Sequence, residues 1–167
     1  RRPFILWGSL CLAAAMLLGA WAIGGGDYKF GWGKQDDRDS IATIHRSIDL
    51  GINWIDTAPV YGAGHSEKII GEAIKDREEK VFISTKCGVS VEGKENIVLA
   101  LDETSIRKEL ETSLKNLGTD VIDLYMIHIP TAEGVEDAWG VLAKLVEEGK
   151  IRYAGVSNFS LDMLKLI

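Results

Sequence analysis

From Leu17 onward, short apolar runs alternate with longer segments whose apolar positions recur every three to four residues. Runs rich in Val, Ile and aromatics, bounded by polar residues or glycine, predict strands over 17–24, 52–57, 80–86, 121–128 and 151–156. The helical period predicts helices near 39–50, 65–75, 103–117 and 134–148, and a fifth beginning at Ser160. In the first helix Ile41, Ile44 and Ile48 form one face and Gly51 stops it. In the third, Ile106, Leu110, Leu114 and Leu117 do the same, with Gly118 after them. In the fourth, Val135, Ala138, Trp139, Leu142 and Val146 align, and Gly149 ends it. Such regular alternation means parallel strands with helices outside. The predicted fold class is α/β: a partial (β/α)₈ TIM barrel of about the first five βα units, truncated at the C-terminus. A closed barrel takes about 250 residues, and residues 17–167 hold only five predicted strands and four complete helices, with Ile167 inside the fifth helix. Strand 5 then has an open edge and strand 1 an unclosed partner, so self-association is expected through open sheet edges.

Composition changes this picture only at the N-terminus. The 167 residues are 46% hydrophobic and 26% charged, as suits a soluble globular domain. Of 19 basic residues, only Arg1 and Arg2 fall within residues 1–26, leaving 17 basic against 25 acidic, or −8, for the remainder. An acidic body without a Lys/Arg stripe argues against a nucleic-acid partner. Cys11 and Cys87 lie in apolar surroundings without metal-ligand spacing and read as reduced thiols of a cytoplasmic protein. Phe4 to Ile23 carries no charge and meets the ~20-residue length of a membrane span. Its last third is also the first predicted strand, however, and the about 13 residues left are short for a span and nearer a signal-peptide core. Signal cleavage after Ala20 or Ala22 would cut into the strand. Residues 1–16 therefore stand apart as an apolar leader, with membrane contact open only through residues 4–18.

The chemistry concentrates at strand ends. Asp56 and Tyr61 are five residues apart where an apolar run gives way to turn residues; Lys86 and His128 close the next two runs. Proton donation to a carbonyl needs such a set. A phenol is a poor acid, with a pKa near ~10. A buried ammonium beside it would favour the phenolate, a carboxylate would hold the ammonium, and an imidazole would orient the substrate oxygen. Taken singly, each residue has an ordinary reading: a packed loop aromatic, a lysine reaching water, a satisfied core histidine. His45 reads as solvent-facing, Glu67 as a complement to the positive end of the second helix, and Cys87 as a small packing residue.

Seven stretches, in order and without gaps from about Leu17 to Ile167, resemble the aldo-keto reductase family. They are Gly19-Ala20-Trp21-Ala22-Ile23-Gly24-Gly25, Gly51 to Ala58, Tyr61 to Glu67, Ser84-Thr85-Lys86, Ser113 to Asp120, Ile122 to His128, and Gly155-Val156-Ser157-Asn158-Phe159. The resemblance implies NADPH-dependent reduction of an aldehyde or ketone, with Tyr61 as general acid, Lys86 lowering its pKa, Asp56 anchoring Lys86 and His128 steering the carbonyl. It implies NADP(H) as cofactor, NAD(H) not excluded, with Ser157 and Asn158 on the nicotinamide carboxamide and Asp56 and Trp21 beside them. Asn158 and Ser157 also read as a helix cap, and Trp21 equally as a barrel-wall aromatic. A GxGxxG fingerprint is absent, since Gly24-Gly25-Gly26 has the wrong spacing; the resemblance implies a dinucleotide extended across the barrel top, with its phosphate contacts in later units. Two other functions are weighed: a nucleotide-sensing or subunit-like protein with negligible turnover, and a membrane-tethered fragment. The family opens with a polar hairpin, whereas residues 1–18 resemble a sugar-transporter membrane segment. Residues 4–16 are therefore expected to form a helix or arm outside the barrel wall.

Overall fold

Asp36 begins the first well-defined helix in the computed structural model, which describes residues 17–26, 32–93, 96–131 and 133–167. Its carboxylate accepts from the backbone N–H groups of Arg38 (2.8 Å) and Asp39 (3.3 Å), satisfying donors a helix start leaves free. The strands are β1 (Leu17–Gly19), β2 (Trp54–Asp56), β3 (Phe82–Cys87), β4 (Val89–Glu92), β5 (Asn96–Leu99), β6 (Ile122–Ile127) and β7 (Ile151–Val156). The helices are α1 (Asp37–Asp49), α2 (His65–Ile74), α3 (Glu103–Leu117) and α4 (Val135–Glu147). Five strands form one parallel sheet in the order β1-β2-β3-β6-β7; β4 and β5 form a separate antiparallel hairpin. The register pairs Trp54 with Phe82, Asp56 with Ser84, and Ser84 with Leu124.

Because side chains alternate along a strand, this register sorts the sheet into two faces. Ile55, Ile83, Cys87, Tyr125 and Ile127 are buried in one core with Ile44, Ile70, Ile106, Leu110, Leu142 and Leu145 of the helices. Trp54, Asp56, Phe82, Ser84, Lys86, Leu124 and Met126 occupy the opposite face. Helix α2 packs closely on α3 because residue 71 is glycine: a Cβ there would stand 2.6 Å from the Asn116 carbonyl oxygen.

Four expectations change. The first strand ends at Gly19, and Ala22–Gly24 turns into a 3-10 helix. The chain bends there because Gly24 packs on the backbone of the Tyr61–Gly62 turn; a Cβ on Gly24 would lie 2.7 Å from the Tyr61 carbonyl carbon. The buried face of α4 is Val135, Ala138, Val141, Leu142 and Leu145, while Val146 is exposed and Trp139 half-buried. The face is rotated because α4 lies over β6 and β7 along the Val141–Leu145 line. Past Ser160 there is only a 3-10 turn, Met163–Lys165, although the Ser160 hydroxyl accepts from Met163 N–H (3.3 Å). The β4–β5 hairpin, inserted between β3 and α3, has no counterpart among the expected elements. The helix or arm expected over 4–16 lies outside the described residues, as does Cys11. Among the described residues no helix is long and apolar enough to cross a membrane.

Candidate active site

Asp56 is the last residue of β2, and Tyr61 sits in the turn that follows, its N–H bonded to Ala58 O (3.0 Å). Lys86 is the penultimate residue of β3, and His128 directly follows β6, with its N–H on Cys87 O (2.9 Å). Ser157 follows β7 and bonds back to Ile127 O (2.9 Å). All these positions lie at the C-terminal ends of parallel strands, where barrels of this kind place their chemistry. Their side chains meet in one cleft of about 590 Å³, lined by Trp21, Asp56, Tyr61, Lys86, His128, Ser157 and Asn158. The hairpin contributes Val89, Ile97 and Leu99 to the same cleft.

Lys86 is the most constrained member. It is 5% exposed, and its ammonium donates to Asp56 Oδ2 (2.7 Å) and to the Thr57 carbonyl (2.8 Å). Burial lowers its pKa, and the hydrogen bond and charge of Asp56 act against that fall. The ammonium lies 5.2 Å from the centroid of the Tyr61 ring, over its face. The expected acidification of Tyr61 by Lys86 is not what the geometry produces. Burial, then the Asp56 charge, push the phenol up to about 12. Tyr61 is further enclosed by Trp21, stacked at 5.8 Å, and by His128, edge-on at 5.9 Å.

His128 is neutral at physiological pH. Burial first, then the Lys86 charge, bring its pKa down to about 4. Among the described residues its buried Nδ1 has no hydrogen-bond partner. Asn158 stands in the left-handed region (φ 63°), and its amide nitrogen donates to His128 O (2.8 Å) and Ser157 Oγ (3.0 Å). That conformation ends β7 sharply and makes Asn158 a clamp between the β6 and β7 ends.

Sequence reasoning missed two residues beneath the site. The Ser84 hydroxyl donates to Asp56 Oδ1 (2.8 Å), and the Trp54 indole N–H donates to Ser84 Oγ (2.8 Å). The signal was the two-residue strand period, which puts Trp54 on the face of Asp56 and Ser84 on the face of Lys86. Behind β3, Glu67 stands in the first turn of α2, where its charge complements the helix end; it is also fully buried and accepts from Thr85 Oγ1 (2.8 Å) and Asn116 Nδ2 (3.0 Å), so it braces helices to sheet as well. Glu109 accepts from Gly88 N–H (2.8 Å) at the base of the hairpin; burial raises its pKa to about 7. His45 is half-buried on the Ala73 carbonyl (2.8 Å), not solvent-facing. Cys87 is a buried thiol whose pKa burial drives upward, as a packing residue requires. No group of acidic, histidine or cysteine side chains among the described residues is arranged to hold a metal.

The chain matches the Aldo/keto reductase family model over residues 15–167. It is 42% identical to an aldo-keto reductase of Bacillus subtilis over 91% of this chain and 45% of the relative. It is 40% identical to the NADH-specific methylglyoxal reductase of Escherichia coli over 90% of this chain and 50% of that one. Among solved structures, the glycerol dehydrogenase of Gluconobacter oxydans superposes with a TM-score of 0.81 at 42% identity, over 90% of this chain and 46% of the other. An aldo-keto reductase from Klebsiella pneumoniae in complex with NADPH superposes at 0.72 with 27% identity, over 91% and 48%. The chain thus spans about half the length of the relatives it matches, and its five-stranded parallel sheet is a partial (β/α)₈ barrel. Residues 1–14 fall outside the family match, and the comparisons lend no support to a transporter origin for the leader. The sheet topology and the unbroken match from residue 15 onward carry one conclusion: this chain belongs to the aldo/keto reductase family, whose members are oxidoreductases.

Proposed function

We propose that the protein is an NADP(H)-dependent reductase of small aldehydes or ketones, with Tyr61 as the proton donor. The observation that carries this reading is the convergence of Asp56, Tyr61, Lys86 and His128 in one cleft, with Lys86 Nζ 2.7 Å from Asp56 Oδ2. The residues present suit the nicotinamide end of the cofactor. His128, whose ring lines the cleft, has a buried Nδ1 without a hydrogen-bond partner among the described residues. Asn158 has its amide nitrogen engaged, leaving its carbonyl oxygen to accept from a carboxamide, with Ser157 alongside. Asp56 and Trp21 frame the same end. Among the residues lining the cleft, Lys86 is the one cation, and it is held by Asp56. The phosphates therefore find no counter-charge there. When bound there, the nicotinamide would supply the hydride that reduces the carbonyl carbon.

This chain's own residues supply the rest. At about 12, the Tyr61 phenol holds its proton at neutral pH. It releases that proton to the carbonyl oxygen as negative charge develops there, and neutral His128 steadies the same oxygen through an N–H. Lys86 then faces the incipient phenolate and stabilises it, a role that matters in the transition state rather than at rest. Trp21 and the hairpin residues Val89, Ile97 and Leu99 give the cleft its apolar wall, which favours a small, largely uncharged carbonyl compound.

The test is carbonyl-dependent NADPH oxidation with Tyr61→Phe. General-acid removal should cost about 10²–10⁴-fold in kcat while leaving the circular dichroism spectrum unchanged. Equal rates for parent and variant would exclude Tyr61 as donor. The unlowered Tyr61 pKa also favours a second reading, a nucleotide-binding subunit with negligible turnover. In that case NADPH binds, and no carbonyl substrate is consumed by the parent chain.

A further inference from the structure

We propose that Ser84, oriented by Trp54, is a positioning residue that holds the Asp56 carboxylate toward Lys86 and away from Tyr61. The chain of contacts runs along the inner face of β2 and β3. An indole N–H is a donor only, and a serine hydroxyl has one hydrogen to give and lone pairs to receive. With Trp54 Nε1 donating to Ser84 Oγ at 2.8 Å, the serine hydrogen is directed at Asp56 Oδ1, also at 2.8 Å. Asp56 therefore receives one donor on each oxygen, Ser84 at Oδ1 and Lys86 at Oδ2.

This matters because a carboxylate's last torsion is soft. Lys86 alone fixes one oxygen and leaves the other to swing. Pinning both fixes the plane of the carboxylate. Register makes the arrangement rigid: Asp56 pairs with Ser84 and Trp54 with Phe82, whose ring meets the Trp54 indole edge-on at 5.1 Å. Ser84 is fully buried, so no water takes its place without a rearrangement. A carboxylate held in that plane keeps its hydrogen bond and its charge on the Lys86 ammonium, which work against the fall that burial imposes on the lysine. The proposal rests on the reading of Tyr61 as proton donor for its catalytic meaning, but its test reads Lys86 and needs no turnover.

The experiment follows the Cε resonance of Lys86 by NMR in the 167-residue chain labelled with ¹³C-lysine, assigned by its loss in Lys86→Met. With Ser84→Ala, the midpoint of the Lys86 titration should fall by about one pH unit, as loss of a hydrogen bond to a carboxylate partner implies. Ser84→Thr, which keeps the hydroxyl, should restore the parent midpoint. Trp54→Phe keeps an aromatic ring against Phe82 while removing the N–H donor along with part of the indole; it should shift the midpoint in the same direction by a smaller amount. It also carries the test if Ser84→Ala fails to fold. Parent-like midpoints in both Ser84→Ala and Trp54→Phe would overturn the proposal. So would equal shifts in Ser84→Ala and Ser84→Thr, which would mean packing rather than the hydroxyl sets Lys86. If these shifts appear while Tyr61→Phe leaves carbonyl reduction untouched, the positioning role stands and the catalytic reading falls.

Discussion

Two half-buried titratable groups, His128 in the cleft and Glu109 at the base of the hairpin, respond to pH in opposite senses. His128 is held down to about 4 in the folded chain, by burial and by Lys86, against 6.5 when unfolded. The unfolded chain therefore binds its proton first, and the stability His128 contributes is present above pH 6.5 and lost as pH falls toward 4. Glu109 is raised to about 7, chiefly by burial, against 4.5 unfolded. Its contribution is present below pH 4.5 and lost as pH rises toward 7. Between those values the two slopes offset one another, and the parent melting temperature should vary little. Glu109→Gln keeps an acceptor for Gly88 N–H and should expose the histidine slope, with melting falling steadily from pH 6.5 to 4.5. His128→Asn should show the reverse, melting more readily at pH 7 than at pH 5. Thermal melts of the three chains across that range check the assignment; parallel curves would mean that neither group is perturbed as its burial implies.

At the scale of elements, the turn after β2 is the part that aims the chemistry. Gly62 adopts φ +64°, and a Cβ there would overlap the Gly24 carbonyl oxygen. This contact ties the Tyr61 turn to the 3-10 turn that carries Trp21, and the two rings stack across it. Gly62→Ala should therefore cost roughly 2–4 kcal/mol, a left-handed penalty plus overpacking. Gly118→Ala, also left-handed at φ +66° but facing open space, should cost only about 1–2 kcal/mol. Denaturant midpoints measure both; equal losses would show that the close approach is not the constraint. The four helices were legible because each is buried on one side and so carries a period; the parallel strands were legible as short apolar runs, β3 being buried on both faces. Asp56, Tyr61, Lys86 and His128 were placeable because strand ends are. The first strand's early end was not, since a backbone-to-backbone contact across 37 residues of sequence leaves only a glycine behind. The hairpin was not, although Val89-Ser90-Val91-Glu92-Gly93 alternates as a strand does. It interrupts a β–α rhythm that invites the reader to pass from β3 straight to α3. Ser84 and Trp54 were hidden for another reason: polar contacts between neighbouring strands depend on register, which a single sequence does not print.

For the whole molecule, the decisive fact is where the sheet stops. β1 and β7 are its outer strands, and Tyr153 is 61% exposed and Leu17 54% exposed on them. Tyr153 stacks on Phe82 at 6.3 Å, so the inner face continues beyond Lys86 as an apolar surface that nothing else in the described chain covers. Such a surface, and two edge strands that are unpaired among the described residues, favour association of the 167-residue chain with itself. The same geometry limits cofactor binding. The cleft holds groups suited to a nicotinamide, but its one lysine is spent on Asp56, and no other lining residue offers a positive charge to a pyrophosphate. We therefore expect NADPH to bind the 167-residue chain at least tenfold more weakly than it binds a chain extended by three further βα units, a difference of about 1.4 kcal/mol or more. Turnover should be lower still, because a misplacement of ~1 Å between donor and acceptor can cost about a hundredfold. NADPH fluorescence titration and carbonyl-dependent absorbance loss, run on both chains alongside sedimentation to record their association, measure these effects. Tyr61-dependent reduction by the short chain at the rate of the long one would refute the expectation. If that rate rose with protein concentration, a second copy would be supplying the missing wall.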